Sequence, residues 1–287
     1  MARVPGWAAA TRVEVVRLEG GITNENYRVD VDYERFVVRL EGRSAHLLGI
    51  DRARECAAAR MAASREVGPQ VVFALPEAGV LVTRFVPGRV LTPEDVRVPE
   101  VLARVVAAIV RVHSGPPIPG TFSPFRTVLA YHDTAARHGV ALPPSLDDWL
   151  ALMRRIEARL PRVADVPCHN DLLPNNFVDA GDRIRILDWE YAGMGDPFFD
   201  LGNLAANAKL DSEGERRLLE LYQGSPSTEA HAHLGLMRLV SDMREAMWGL
   251  VQVGISDLAF DFAGYAARHF SRFVTRAATA GVAAWLR

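Results

Sequence analysis

The spacing of apolar residues changes at Pro87-Gly88, and that change constrains the fold more than any other feature of the chain. Before it, Arg12 to Leu18 and Tyr27 to Val31 alternate apolar with polar residues. Phe36 to Leu40 is rich in β-branched residues, and Val71 to Phe73 and Val80 to Val82 are short apolar runs, all of which read as strands. One helix is predicted among them, from about Asp51, an N-cap type of residue, through an alanine-rich stretch to about Glu66, where Gly68-Pro69 stops it. After the change the spacing is helical, in seven segments: Pro93 to His113, Leu129 to His138, Ser145 to Leu160, Pro197 to Asn207, Glu213 to Tyr222, Glu229 to Gly249 and Ile255 to Ala277. Within this second part, Phe177-Val178 and Arg183 to Leu187 flank Asp179-Ala180-Gly181-Asp182 and read as a hairpin. The chain is therefore predicted to be α+β. A small antiparallel sheet with one helix (1–84) is joined near Arg84 to Gly88 to a larger, mainly helical lobe (85–287), with a ligand cleft between the two.

At 287 residues and 49% hydrophobic, the chain can bury a sizeable core without staples. Of its 33 basic residues only Lys209 is a lysine, and it stands in no phosphate-loop context. That sets aside Schiff-base chemistry and the GxxxxGK[ST] phosphate loop, each of which needs a lysine in a defined place. A net charge of −2 gives no general field toward nucleic acid or an anionic membrane, so the predicted partner is a small molecule. Cys56 and Cys168 are too few for a disulfide framework and match no zinc spacing. Met1 to Val16 has no long apolar stretch, and Arg104 and Arg111 break the run from Val101 to Val112. A cytoplasmic location is expected on these grounds.

The densest polar cluster runs from Cys168 through His169-Asn170-Asp171 to Asn175-Asn176, and Asp188-Trp189-Glu190 follows twelve residues after Asn176. Asp171 and Asn176 share one loop before a strand, and Asp188 ends the second strand of the hairpin, so a tight hairpin brings the three together. Oxygen ligands without thiolate or imidazole suit Mg²⁺. A carboxylate left uncommitted could orient a hydroxyl for attack on phosphorus. Taken singly, each of these residues could equally cap a turn or end a strand.

These residues carry a resemblance. His169-Asn170-Asp171 with Asn176, then Ile186 to Tyr191, then Gly195-Asp196-Pro197 to Asn203, resembles the choline/ethanolamine kinase branch of the aminoglycoside-phosphotransferase and protein-kinase-like superfamily. Gly20 to Tyr27 is similar to that family's nucleotide loop, and Trp248-Gly249, Gln252, Ile255-Ser256 and Tyr265 to its C-terminal region. The resemblance implies a two-lobed kinase-like fold and transfer from ATP with Mg²⁺, with Asp171 as base and Asn176 and Asp188 as metal ligands. It also implies that Arg39 stands where kinase-like folds usually place a phosphate-contacting lysine, with Glu55 on the first helix as its partner. On residues alone, Arg39 could be a surface charge and Glu55 a solvated pair with Arg52. Asn24 is predicted to add a donor to the nucleotide loop. His169 and Asp200 are predicted to hold the catalytic loop.

Glu245, Trp248 and Gln252, three and four apart, share a helix face. A carboxylate beside an indole suits a cationic acceptor, and Glu190 and Tyr191 could close such a pocket. The plain alternative is that Trp248 is core and Glu245 meets a surface arginine such as Arg244. Many choline kinases carry a second tryptophan at the position of Glu245, so fewer aromatic walls are expected here, which leaves room for ethanolamine or another amine alcohol. Other acceptors on the same fold, an aminoglycoside, thiamine or a sugar, and a non-catalytic nucleotide binder are the competing readings.

Overall fold

The computed structural model describes residues 4–19, 23–42 and 44–286. Strands β1 (Val13–Leu18), β2 (Asn24–Val31), β3 (Glu34–Glu41), β4 (Val71–Leu75) and β5 (Val80–Arg84) form one antiparallel sheet in the order β1-β2-β3-β5-β4. Helix α1 (Arg52–Ser64) lies between β3 and β4 in sequence. The Asp51 side chain accepts from the Arg54 N–H at 3.0 Å, satisfying one orphan donor of its first turn. The alanines that make α1 a good helix also let it pack closely, with Ala58 and Ala62 fully buried.

The rest of the chain carries helices α2 (Pro93–Val96), α3 (Pro99–His113), α4 (Pro124–Arg137), α5 (Leu146–Arg159), α6 (Pro197–Asn207), α7 (Ser212–Gln223), α8 (Thr228–Ile255), α9 (Phe262–Ala277) and α10 (Ala280–Trp285). The predicted helix Pro93 to His113 is two helices. Pro99 has no N–H to extend the first, and it drives Val98 to an extended ψ of 124°. The predicted helix Ile255 to Ala277 begins late for a similar local reason. Ser256 is extended (ψ 134°), and Asp261 caps a new start by accepting from Gly264 N–H. Helix α8 is apolar on nearly every side and is buried from Leu234 to Gln252 apart from Arg238, as expected of a helix enclosed by neighbours; α4, α6 and α9 pack around it. Among the described residues no helix is long and apolar enough to cross a membrane.

Short strands place the polar cluster. β7 (Val166–Cys168) pairs with β10 (Gly193–Gly195), while β8 (Phe177–Asp179) and β9 (Ile184–Ile186) form the expected hairpin, extended by β6 (Arg89–Val90). The first pair holds His169 to Asp171 beside Tyr191. The hairpin brings the ends of its strands together, and Leu187 N–H donates to Asn176 O at 2.8 Å.

Candidate active site

A cavity of about 590 Å³ opens between the sheet and the helical lobe. It is lined by all ten residues singled out from the sequence: Asn24, Arg39, Glu55, Asp171, Asn176, Asp188, Glu190, Tyr191, Glu245 and Trp248. The glycine pair Gly20-Gly21 of the expected nucleotide loop, with Ile22, lies outside the described residues.

The loop carrying Asp171 is held from beneath. Asp200 accepts the N–H groups of His169 (2.8 Å) and Asn170 (2.6 Å) and also meets His113 Nε2 at 3.0 Å. Burial lowers the His169 pKa and keeps the ring neutral. Its Nδ1 accepts from Asp171 N–H (3.2 Å), which leaves Nε2–H to donate to Leu187 O at 2.8 Å. His169 thus ties the Asp171 loop to the segment entering Asp188. His113, Cys168 and Asp200 lie close enough together to suggest a metal site. Their chemistry argues otherwise, since the Asp200 oxygens are engaged and burial holds the Cys168 thiol protonated.

Asn176 Nδ2 donates to Asp171 O at 2.9 Å, so its Oδ1 is the atom available for a ligand. Asp188 has a left-handed backbone (φ 64°) and is exposed to the cleft, and among the described residues no hydrogen bond or ion pair engages its carboxylate. Seclusion between the lobes, then the charges of Glu190, Glu55 and Asp171, push its pKa well above the ordinary value. Because the side chain still meets cleft water, the like charges weigh more than burial here. An all-oxygen donor set in surplus negative charge fits Mg²⁺.

On the sheet side, Arg39 Nη2 meets Glu55 Oε2 at 2.7 Å and Nη1 donates to Asn24 Oδ1 at 3.1 Å, while its buried Nε has no partner among the described residues. Arg52, which the sequence offered only as a solvated alternative, is buried in the same cluster. It donates to Glu55 (2.9 Å), Asn24 (2.7 Å) and Glu190 (3.3 Å). Burial pushes the Glu55 pKa up and pulls that of Arg39 down, each opposed by the other's charge. Two expectations meet a different geometry here. Asn24 spends both ends of its amide inside the cluster, and Glu190, expected at the acceptor pocket, is gripped across the lobes by Thr23 Oγ1 (2.8 Å), Asn24 Nδ2 (2.8 Å) and Arg52. A carboxylate held by donors from the sheet lobe is placed to fasten that lobe, while it still lines the cleft.

On the helical side, Arg244 is the residue that sequence reasoning misplaced. It is not at the surface but 1% exposed, and Nη1 donates to both Asp171 Oδ1 (2.9 Å) and Glu245 Oε1 (2.7 Å). Tyr265 Oη donates to Glu245 Oε2 at 2.7 Å. The Glu245 carboxylate therefore already accepts from Arg244 and Tyr265, with Asn203 Nδ2 3.5 Å from Oε1, so only part of its oxygen capacity is left for an acceptor. Burial would raise its pKa, but Arg244 and His269 outweigh it and hold the group ionised. Burial pushes the Asp171 pKa up to about 7, with Arg244 opposing. Trp248 serves both readings: it belongs to the core and also faces the cleft, edge-on to Tyr265. The sequence signal for Arg244 was its adjacency to Glu245 at the start of the apolar run Ala246 to Val251, where a charged side chain is buried only when paired.

A carboxylate in a two-lobed cleft, with an amide and a second carboxylate beyond it and a buried arginine-glutamate pair opposite, defines a kinase-like phosphotransferase. Comparison with known proteins agrees: residues 14–234 match the model of the phosphotransferase enzyme family. A choline/ethanolamine kinase family protein from Mesorhizobium loti is 31% identical and superposes with a TM-score of 0.84 over 99% of this chain and 95% of that one. Human ethanolamine kinase 1 is 28% identical over 83% of this chain and 61% of its own length. The choline kinase LicA of Streptococcus pneumoniae, 22% identical, shares the fold with a TM-score of 0.80 over 93% of this chain and 94% of that one. The chain belongs to the choline/ethanolamine kinase family of phosphotransferases, enzymes with an alcohol group as acceptor.

Proposed function

We propose that the protein is an ATP- and Mg²⁺-dependent kinase that transfers the γ-phosphate to the hydroxyl of a small amino alcohol, with ethanolamine and choline the first acceptors to test. The observation that carries this reading is the charge of the acceptor side. Once Asp171 is ionised, above its pKa of about 7, Asp171 and Glu245 against Arg244 leave one net negative charge beside the Trp248 indole, which an ammonium-bearing alcohol neutralises. Similarity to human ethanolamine kinase 1 supports the same acceptor class. An aminoglycoside, with several ammonium groups, calls for a denser acidic wall than an engaged Glu245 provides.

In this reading residues 1–84 form the nucleotide side and 85–287 the catalytic and acceptor side. Val37, Leu81 and Phe85 give the cleft an apolar end suited to a purine, and Arg39, which lines the same cleft, brings a guanidinium charge to it for the phosphates. Asn176 Oδ1 and Asp188 would hold Mg²⁺, which supplies neutralisation of the phosphate oxygens when bound. Asp171 has Oδ1 anchored by Arg244, so Oδ2 is the atom left to orient the hydroxyl and take its proton. His169 and Asp200 keep that carboxylate in place. The test is ADP release with a panel of ethanolamine, choline, thiamine, simple sugars and aminoglycosides. Turnover confined to amine alcohols is expected. Turnover only with another class, or nucleotide binding without turnover, would overturn the reading.

A further inference from the structure

Arg244 is a cation that the protein builds into its own acceptor pocket. Its guanidinium carbon stands 4.4 Å from the centroid of the Tyr191 ring, between the carboxylates of Asp171 and Glu245, and its Nε and Nη2 have no hydrogen-bond partner among the described residues. A ring face flanked by carboxylates is the surrounding that an ammonium group seeks. Here a guanidinium already has it.

The consequence differs between two kinds of acceptor. A quaternary ammonium has no N–H to donate, so beyond the undirected attraction of nearby carboxylates it depends on aromatic faces. With the Tyr191 face taken, it is left with Trp248 and Tyr265, which lean edge-on against each other at 5.5 Å. A primary ammonium is smaller and donates three hydrogen bonds. It can use the oxygen lone-pair capacity of Glu245 that Arg244, Tyr265 and Asn203 leave over, and it needs no further ring.

We propose that Arg244 is the specificity-determining residue of this phosphotransferase, an internal cation that occupies the Tyr191 face and makes the pocket select a primary over a quaternary ammonium acceptor. This rests on the amino-alcohol reading above. The test is kcat/KM for ethanolamine and its mono-, di- and trimethylated forms, with the wild-type protein and Arg244→Leu. Each ratio is taken within one variant, so any effect of Arg244 on Asp171 cancels. For the wild type we expect ethanolamine to exceed choline by at least about tenfold, the scale of a lost cation–π face. Arg244→Leu should bring the ratio near one, mainly through a lower KM for choline. Arg244→Lys, which keeps a cation there, should retain the preference. If Arg244→Leu does not fold, Arg244→Gln serves in its place. A wild type that takes choline as well as ethanolamine, or a ratio unchanged in the neutral variant, overturns this inference and leaves the amino-alcohol reading standing. Turnover with none of the four amines overturns that reading and this inference with it.

Discussion

Two buried ion networks face each other across the cleft, and they are built differently. The sheet-side network joins Asn24, Arg39, Arg52 and Glu55 to Glu190 of the other lobe. Its two arginines meet Glu55, Glu190 and Glu41, the last at 3.0 Å from Arg52 Nε, and its closure spans the lobe boundary. The helix-side network joins Asp171 to Arg244, Glu245 and Tyr265, lies within one lobe, and ends with one negative charge in excess. Buried ion pairs add little net stability, because desolvation offsets most of their attraction, but breaking one partner leaves a costly bare charge. The network that spans the lobes therefore suits holding them and the nucleotide in register. The one confined to the helical lobe suits a base and a cationic acceptor.

The comparison can be broken from either side. Arg39→Ala strips the sheet-side network of one cation and is expected to lower kcat by about 10²–10³, the scale seen when a donor to transition-state charge is removed. Steady-state kinetics with varied ATP would read it, and an unaffected kcat would detach Arg39 from phosphate chemistry. The helix side is exposed by pH. Asp171 must be ionised to act as base, and burial raises its pKa to about 7. Below that inflection kcat/KM should therefore fall about tenfold per pH unit, and above it a plateau is expected. The same group lowers stability in the opposite sense. The folded chain keeps a proton that the unfolded chain releases near pH 4, so between about pH 4 and about 7 stability decreases as pH rises. Asp171→Asn should flatten that part of a Tm-against-pH curve.

Glu190→Gln separates the two networks. Removing the charge that Thr23, Asn24 and Arg52 hold should cost about 1–3 kcal/mol, read as a lower Tm, and should raise the KM for ATP more than that for the acceptor. A rise confined to the acceptor KM would return Glu190 to the acceptor pocket. Lys209, with its left-handed backbone just past α6, belongs to neither network, and Lys209→Ala should leave turnover unchanged within error.

What the sequence made legible follows from where the information is local. Asp51, the alanine run and Gly68-Pro69 state the start, body and end of α1 within twenty residues, and the helix lies there. The hairpin is equally local, and its closure is what brings Asn176 and Asp188 into one cleft with Asp171. By contrast, β7 and β10 are three residues each, too short for a period, and are strands only because they pair with each other. The break before Pro99 was local and readable from the proline itself. The burial of Arg52 and Arg244 was not, because each depends on an element distant in the chain: Glu190 for the first, and Asp171 and Tyr191 for the second. Glu245 and Glu190 were placed in the right cleft, but the arginines that engage them changed what each carboxylate is free to do.

In the proposed reaction Asp171, anchored on one oxygen by Arg244, directs an alcohol onto the phosphorus of ATP. Phosphorus-31 NMR of ATP, Mg²⁺ and ethanolamine tests it most directly, because it separates phosphate transferred to an alcohol from phosphate released to water. With the wild-type protein we expect a phosphomonoester resonance growing in step with ADP, and with Asp171→Asn almost none, a loss of about 10²–10⁴ in rate with ATP affinity nearly unchanged. Inorganic phosphate as the only product, or equal phosphomonoester formation by the asparagine variant, would contradict it.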